Sequence, residues 1–189
     1  MFEQLILSSN IDIQLFYIIN IYMQNIIFDL IMPLLSEVGY FSFWIFISIL
    51  IFIFGGEKGK KVALVSIIAL IAGYFLTEIL KLIVMRPRPY EVLQGVRVLD
   101  PTNGYSWPSG HATASFTVAT IIGKEYGLIY FIIFASLVAF SRVYNGAHYP
   151  SDVVSGALIG VLLGLLILRY ENNILSGYNG LKKYLRFKK

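Results

Sequence analysis

The stretch VALVSIIALIAGYFLTEIL, residues 62–80, holds a single charge, Glu78, in 19 positions. As a helix it would rise about 28 Å, close to the roughly 30 Å hydrocarbon core of a bilayer. Three further apolar stretches meet or approach that length: Val38 to Phe54, Gly127 to Ser141 and Ser151 to Leu168. A fifth, Gly110 to Gly123, is short and carries Thr113, Ser115, Thr117 and Thr120, which suits a spanning helix surrounded by other helices better than one facing lipid. Whole-chain composition agrees: 57% of the 189 residues are hydrophobic and 14% are charged, with a mean hydropathy of +0.73. Soluble domains average about 25% charged residues. So few charges would leave large apolar areas against water, which excludes an ordinary cytosolic enzyme. The expected fold is all-α: one polytopic helical bundle with five to six transmembrane helices plus amphipathic N-terminal helices.

The chain divides into residues 1–37, interfacial or spanning helices; 38–169, the helical core; and 170–189, a basic tail. In the first segment Asp12, Asn20, Asn25, Asp29 and Glu37 interrupt the apolar residues and Pro33 limits helix continuity. Interfacial helices and one extra span both fit. No Lys or Arg precedes the first apolar run, which argues against a signal peptide. Without cysteine there is no disulfide, thiolate nucleophile or thiolate metal site.

Ten of the 15 basic residues fall on one side of the alternating spans: Lys58, Lys60, Lys61, Lys124, Arg169, Lys182, Lys183, Arg186, Lys188 and Lys189. The positive-inside rule makes that side cytoplasmic. The tail then reads as a topogenic segment facing anionic lipid, not as a nucleic-acid arm. Lys81, Arg86, Arg88, Arg97 and Arg142 lie on the outer side, where topology normally depletes cations. They need another reason to be there.

Successive hairpins bring the end of the second span, the start of the third, the end of the fourth and the start of the fifth to one membrane face. Lys81, Arg88, Ser109, Gly110, His111, Arg142, His148 and Asp152 all sit at these ends. The cations call for an anion with several oxygens. Arg88 and Arg142 offer planar forks, and Lys81 a compact charge. Ser109-Gly110 opens a helix where backbone N–H groups and the dipole favour negative charge. Asp152 stands four residues after His148, a spacing that lets a carboxylate hold Nδ1–H and leave Nε2 free to attack phosphorus. His111 would be the second imidazole, protonating the leaving oxygen. No metal or other cofactor is expected, since few N or O ligands remain beyond residues already given a role. Glu78, one turn before Lys81, is expected to hold the lysine as a structural ion-pair partner. Arg86 and Arg97 are weaker candidates, suited to lipid headgroups. A phospholipid-binding or transport protein would use the same cations without needing the imidazoles.

The pattern Lys81-x6-Arg88-Pro89, Pro108-Ser109-Gly110-His111 and Ser141-Arg142-x5-His148-x3-Asp152 resembles the type 2 phosphatidic acid phosphatase (PAP2) superfamily. All eleven specified positions match in order. The resemblance implies a metal-independent phosphatase in which Lys81, Arg88, Ser109, Gly110 and Arg142 hold the phosphate. His148 would be the nucleophile supported by Asp152, and His111 the general acid. It implies a multi-pass cell-membrane protein acting on a membrane lipid phosphate from the extracytoplasmic side. Undecaprenyl or polyprenyl diphosphate is the first expectation, with phosphatidylglycerophosphate or phosphatidate as alternatives. The loop from Pro89 to Trp107, with Tyr90, Tyr105 and Trp107, can cap the pocket or anchor at the interface; the aromatic residues favour the anchor.

Overall fold

The computed structural model describes residues 10–187, all of whose regular structure is helical. Lys188, Lys189 and the side chains of Lys182 and Arg186, part of the expected basic tail, lie outside the described residues. At the N-terminal end, α1 (Ile11–Tyr17) is capped by Asn10 and continues into a π-helical turn, Ile18–Tyr22. After a break, α2 (Ile26–Glu37) starts at a second Asn cap, where the Asn25 side chain accepts from Phe28 N–H. The two segments are bent 118° from one another. Pro33 lies inside α2 and does not end it.

The core follows as α3 (Phe41–Phe54), α4 (Gly56–Val84), the single turn α5 (Pro89–Val92), α6 (Gly110–Tyr126), α7 (Leu128–Tyr144) and α8 (Pro150–Arg169), with α9 (Glu171–Phe187) closing the chain. Gly56 and Gly127 make the tight turns, each at positive φ where an L side chain would be strained. The helix α4 begins well before the apolar run, so Lys58, Lys60 and Lys61 sit on its first turns rather than in a loop. Their ion pairs, Lys60–Glu57 at 2.7 Å and Lys58–Glu125 at 3.2 Å, explain how those turns are held.

Two helices, the α4–α5 segment and α8, are long and apolar enough to cross a membrane, or up to three if the bent α1–α2 pair is one span. That is fewer than the five to six read from the sequence. The reason is length: α3 has 14 residues and α7 has 17, short of the roughly 20 a span needs. The lipid-like surface is nevertheless broad, since Phe75, Ile83, Leu158 and Leu162 are all at least 60% exposed. In α6, by contrast, every residue from Gly110 to Gly123 except Phe116 is buried. Thr113, Thr117 and Thr120 turn their hydroxyls back to carbonyls one turn earlier, so burial leaves these three donors satisfied.

Gly156, Gly160 and Gly164 run down the face of α8 that meets α6. A Cβ on Gly156 would stand 2.6 Å from Ser109 O, and one on Gly160 2.5 Å from Thr113 O. Helix backbones can approach this closely only at small residues. The contact is reinforced where Thr117 Oγ1 donates to Gly160 O at 3.3 Å. Gly160→Ala is expected to cost about 1–3 kcal/mol by overpacking, read as a fall in Tm in detergent. Gly177→Ala on α9, with open space around it, should not lower Tm.

Candidate active site

Residues at the C-terminal ends of α4 and α7 and the N-terminal ends of α6 and α8 meet at one end of the bundle. Ser109, the N-cap of α6, accepts from Ala112 N–H through Oγ, and its own N–H donates to Asp152 O at 3.1 Å. That bond ties the start of α6 to the start of α8. Gly110 faces α4: a Cβ there would lie 4.0 Å from Lys81 Nζ. Lys81 in turn donates to Glu78 at 2.7 Å, the pair expected from their spacing. His148 N–H donates to Arg142 O at 3.3 Å, and Arg88 NH1 stands 3.4 Å from His148 Nε2. The residues singled out in the sequence are therefore brought together.

His148 lies in the connection between α7 and α8 and is 2% exposed. Its Nδ1 stands 3.5 Å from Asp152 Oδ2 and makes no hydrogen bond. The expected His–Asp bond is thus approached and not closed, because Oδ2 is already taken by the Ser106 hydroxyl and by Tyr149 N–H at 2.9 Å. Burial, with help from the Arg142 and Arg88 charges, pushes the His148 pKa down to about 4 against the opposing influence of Asp152. The ring is therefore neutral at ordinary pH. Its Nε2 is 3.4 Å from Arg88 NH1. With Nδ1–H on the Asp152 side, Nε2 carries the lone pair. His111 is also buried, and its Nε2 has no hydrogen-bond partner among the described residues. Tyr40 holds it edge-on, with ring centroids 4.3 Å apart, and a Cβ on Gly39 would meet its Cδ2 at 2.9 Å.

Both expected phosphate-binding arginines are engaged by the protein itself. Arg88 donates from Nε to Gly104 O at 2.7 Å, from NH1 to Ala147 O at 2.9 Å, and from NH2 to Asn103 O at 3.0 Å and Tyr105 O at 3.3 Å. These four partners are neutral carbonyls. Arg142 donates to Ser36 and Asp100 through NH1 and to Thr102 Oγ1 at 2.7 Å through NH2, while its Nε is unpartnered. The connection from Leu93 to Pro108 therefore folds across the site as a cap. The aromatic residues did not disclose that the loop supplies main-chain carbonyls to Arg88 and the side chains of Asp100 and Thr102 to Arg142, the partners that two buried guanidinium groups need.

Sequence reasoning also misplaced Arg86. It does not face outward: NH1 donates to Asp152 Oδ1 at 2.6 Å and NH2 to Asp12 Oδ2 at 2.7 Å, with its carbon 3.9 Å from the Tyr149 ring centroid. Arg97 pairs with both oxygens of Asp29, away from the histidines. Ser106, Asp100, Gly39 and Tyr40 were not anticipated at all. Among the described residues no group of three or more His, Cys, Asp or Glu is placed to hold a metal ion.

This arrangement has counterparts. The model of the PAP2 superfamily matches residues 62–175, more than half of the chain. An undecaprenyl-diphosphatase of Sulfolobus acidocaldarius is 32% identical over 165 residues, covering 85% of this chain and 79% of that protein. Undecaprenyl-diphosphatase BcrC of Bacillus subtilis is 29% identical over 152 residues, 78% of this chain and 77% of that one. The crystal structure of Aquifex aeolicus LpxE superposes with a TM-score of 0.72 at 29% identity, covering 86% of this chain and 98% of that chain. Similarity that runs through most of the helical core leaves one assignment: the chain belongs to the PAP2 superfamily and is a membrane phosphatase of its lipid-phosphatase kind.

Proposed function

We propose that the protein removes the terminal phosphate of a membrane lipid through a phosphohistidine, with a polyprenyl diphosphate as its first substrate and phosphatidylglycerophosphate or phosphatidate as alternatives. The observation that carries the reading is the neutral, buried His148 facing Arg88 across 3.4 Å. An unprotonated imidazole beside a guanidinium is what attack on a phosphoryl group would require, and this supports the reading. The diphosphate preference rests on the two relatives named as undecaprenyl-diphosphatases.

In this mechanism Lys81, Arg88 and Arg142 draw in the phosphate, and the start of α6 at Ser109 and Gly110 receives an equatorial oxygen. The His148 Nε2 lone pair forms a bond to phosphorus as the bond to the leaving oxygen breaks. His111 gives that oxygen a proton. Asp152 stabilises the positive ring that results. Water then attacks the phosphohistidine, losing a proton to His111, and the P–N bond breaks to release phosphate and neutral His148.

The same reading makes α3, α6 and α7 additional membrane crossings, supported by their neighbours, in a single multi-pass domain. The lysine-rich end of α4 and the Lys124 turn are then cytoplasmic and the histidines extracytoplasmic. An exposed isoprenoid or acyl tail would lie along the apolar exterior while its headgroup enters the polar end.

The decisive measurement is phosphate release in detergent from prenyl diphosphates, phosphatidate and phosphatidylglycerophosphate, with quenching in alkali to trap labelled enzyme. Acid-labile label on His148 and turnover unaffected by EDTA are expected; substrate binding with no phosphate release would refute the proposal. For pH, loss of the neutral His148 ring sets the acid limb of kcat/KM. Because its pKa is depressed to about 4, the acid limb should fall about tenfold per unit only below about 4. The alkaline limb follows the proton on His111, giving a bell whose limbs belong to the coupled pair. A flat profile extending below pH 3 would contradict the role of His148.

A further inference from the structure

Asp12 lies on α1, 74 residues from Arg86 and 139 from Ser151, yet both bond to it. Its Oδ1 accepts from Ser151 N–H at 2.8 Å; its Oδ2 accepts from the Ser151 hydroxyl at 2.6 Å and from Arg86 NH2 at 2.7 Å. Arg86 NH1 then bonds Ser151 Oγ at 2.7 Å and Asp152 Oδ1 at 2.6 Å. A single guanidinium therefore bridges two carboxylates over the face of the Tyr149 ring. One carboxylate is Asp12 and the other is the residue that faces His148.

We infer that Asp12 is a positioning residue of the phosphatase site, acting through Arg86 and Asp152 on the His148 ring. The inference rests on the reading of His148 as the nucleophile. Its physical basis is competition for Asp152. With Asp12 in place, the charge of Arg86 is shared between two anions and one fork arm is pinned away from the site. The Oδ1 atom is oriented, and Oδ2 stays on the His148 side with Ser106 and Tyr149 N–H. Without the Asp12 charge, Arg86 has Asp152 as its one remaining anion. It would pull the carboxylate towards itself and neutralise the charge that the phosphohistidine state needs. Displacement of an orienting group by a fraction of an ångström is felt mainly in the chemical step.

A second role competes with this one. Asp12 also caps the N-terminus of α8 from outside, and loss of that cap would lower stability without changing chemistry. Two substitutions separate the roles. Asp12→Asn keeps an acceptor for Ser151 N–H and removes the charge facing Arg86. Asp12→Glu keeps the charge and shifts the cap. With farnesyl diphosphate in detergent micelles as the probe, kcat per monodisperse protein should fall about ten- to a hundredfold in Asp12→Asn. KM should change less than about threefold, and Asp12→Glu should retain more kcat than Asp12→Asn. In an Arg86→Gln background, Asp12→Asn should have no further effect on kcat. That pair also keeps the test open if the single variant misfolds, because the uncompensated cation is gone.

Wild-type kcat in Asp12→Asn, an equal loss in Asn and Glu variants, or a full additional loss in the Arg86→Gln background would overturn the inference. His148→Ala is assayed alongside. If it remains active, the reading of the nucleophile has failed; if it is inactive and Asp12→Asn is normal, only the role of Asp12 has failed.

Discussion

His148→Ala is expected to lower kcat by at least about a thousandfold, with no alkali-stable label left on the protein. The size follows from what is removed. The imidazole stands 3.4 Å from Arg88 NH1, and burial keeps its Nε2 lone pair unprotonated and available for attack under the proposed mechanism. Alanine leaves the cations in place, so lipid phosphate should still bind and KM should change little. Removing a buried ring also leaves a cavity, so Tm should fall by a few degrees. Binding without turnover distinguishes the loss of a nucleophile from loss of the fold. Full hydrolysis by the variant would remove His148 from the mechanism.

Arg88→Lys should lower kcat/KM by about a hundred- to a thousandfold, even though the charge is kept. Arg88 reaches four carbonyl groups and the His148 ring from five N–H positions in one plane. An ammonium has three donors in a different geometry and would leave carbonyls of Asn103, Gly104 or Tyr105 without a partner. The loop over the site would loosen as the phosphate loses a fork, so both KM and kcat should worsen. Increased proteolysis within residues 93–108 provides an independent readout of the loop. A variant with near-normal kcat/KM would show that Arg88 serves only to hold that loop.

Much of the site was legible because topology and chemistry make the same demand. Alternating apolar runs bring the ends of four helices together, and those ends hold the Lys, Arg, Ser-Gly-His and His-x3-Asp groups. The eleven-position pattern located the family by itself. The support around it was far less legible. Asp12 meets Arg86 and Ser151 across 74 and 139 positions, a proximity no local spacing encodes. Arg86 looked like a headgroup ligand because its partners come from the first and last thirds of the chain. The loop was read through its aromatic side chains, while its ties to the site are main-chain oxygens on Arg88 and the Asp100 and Thr102 side chains on Arg142. Fewer helices are long enough to span alone than the apolar runs suggested, because α3 and α7 are apolar but short and would need their neighbours to cross. One missed signal was in plain view: glycine every fourth residue at 156, 160 and 164 is a helix-contact pattern.

That glycine column bears on more than stability. Where Ser109 and Gly156 touch, the spacing between the helix that begins at Gly110 and the one that follows His148 is set by a main-chain carbonyl meeting a residue with no side chain. Side-chain rotamers can reshuffle as bilayers thicken, thin or change temperature, but that spacing has no soft component to absorb the change. The exterior leucines can therefore be exchanged to suit a different lipid while the reaction centre keeps its dimensions, so solvent adaptation and chemistry are carried by separate sets of residues.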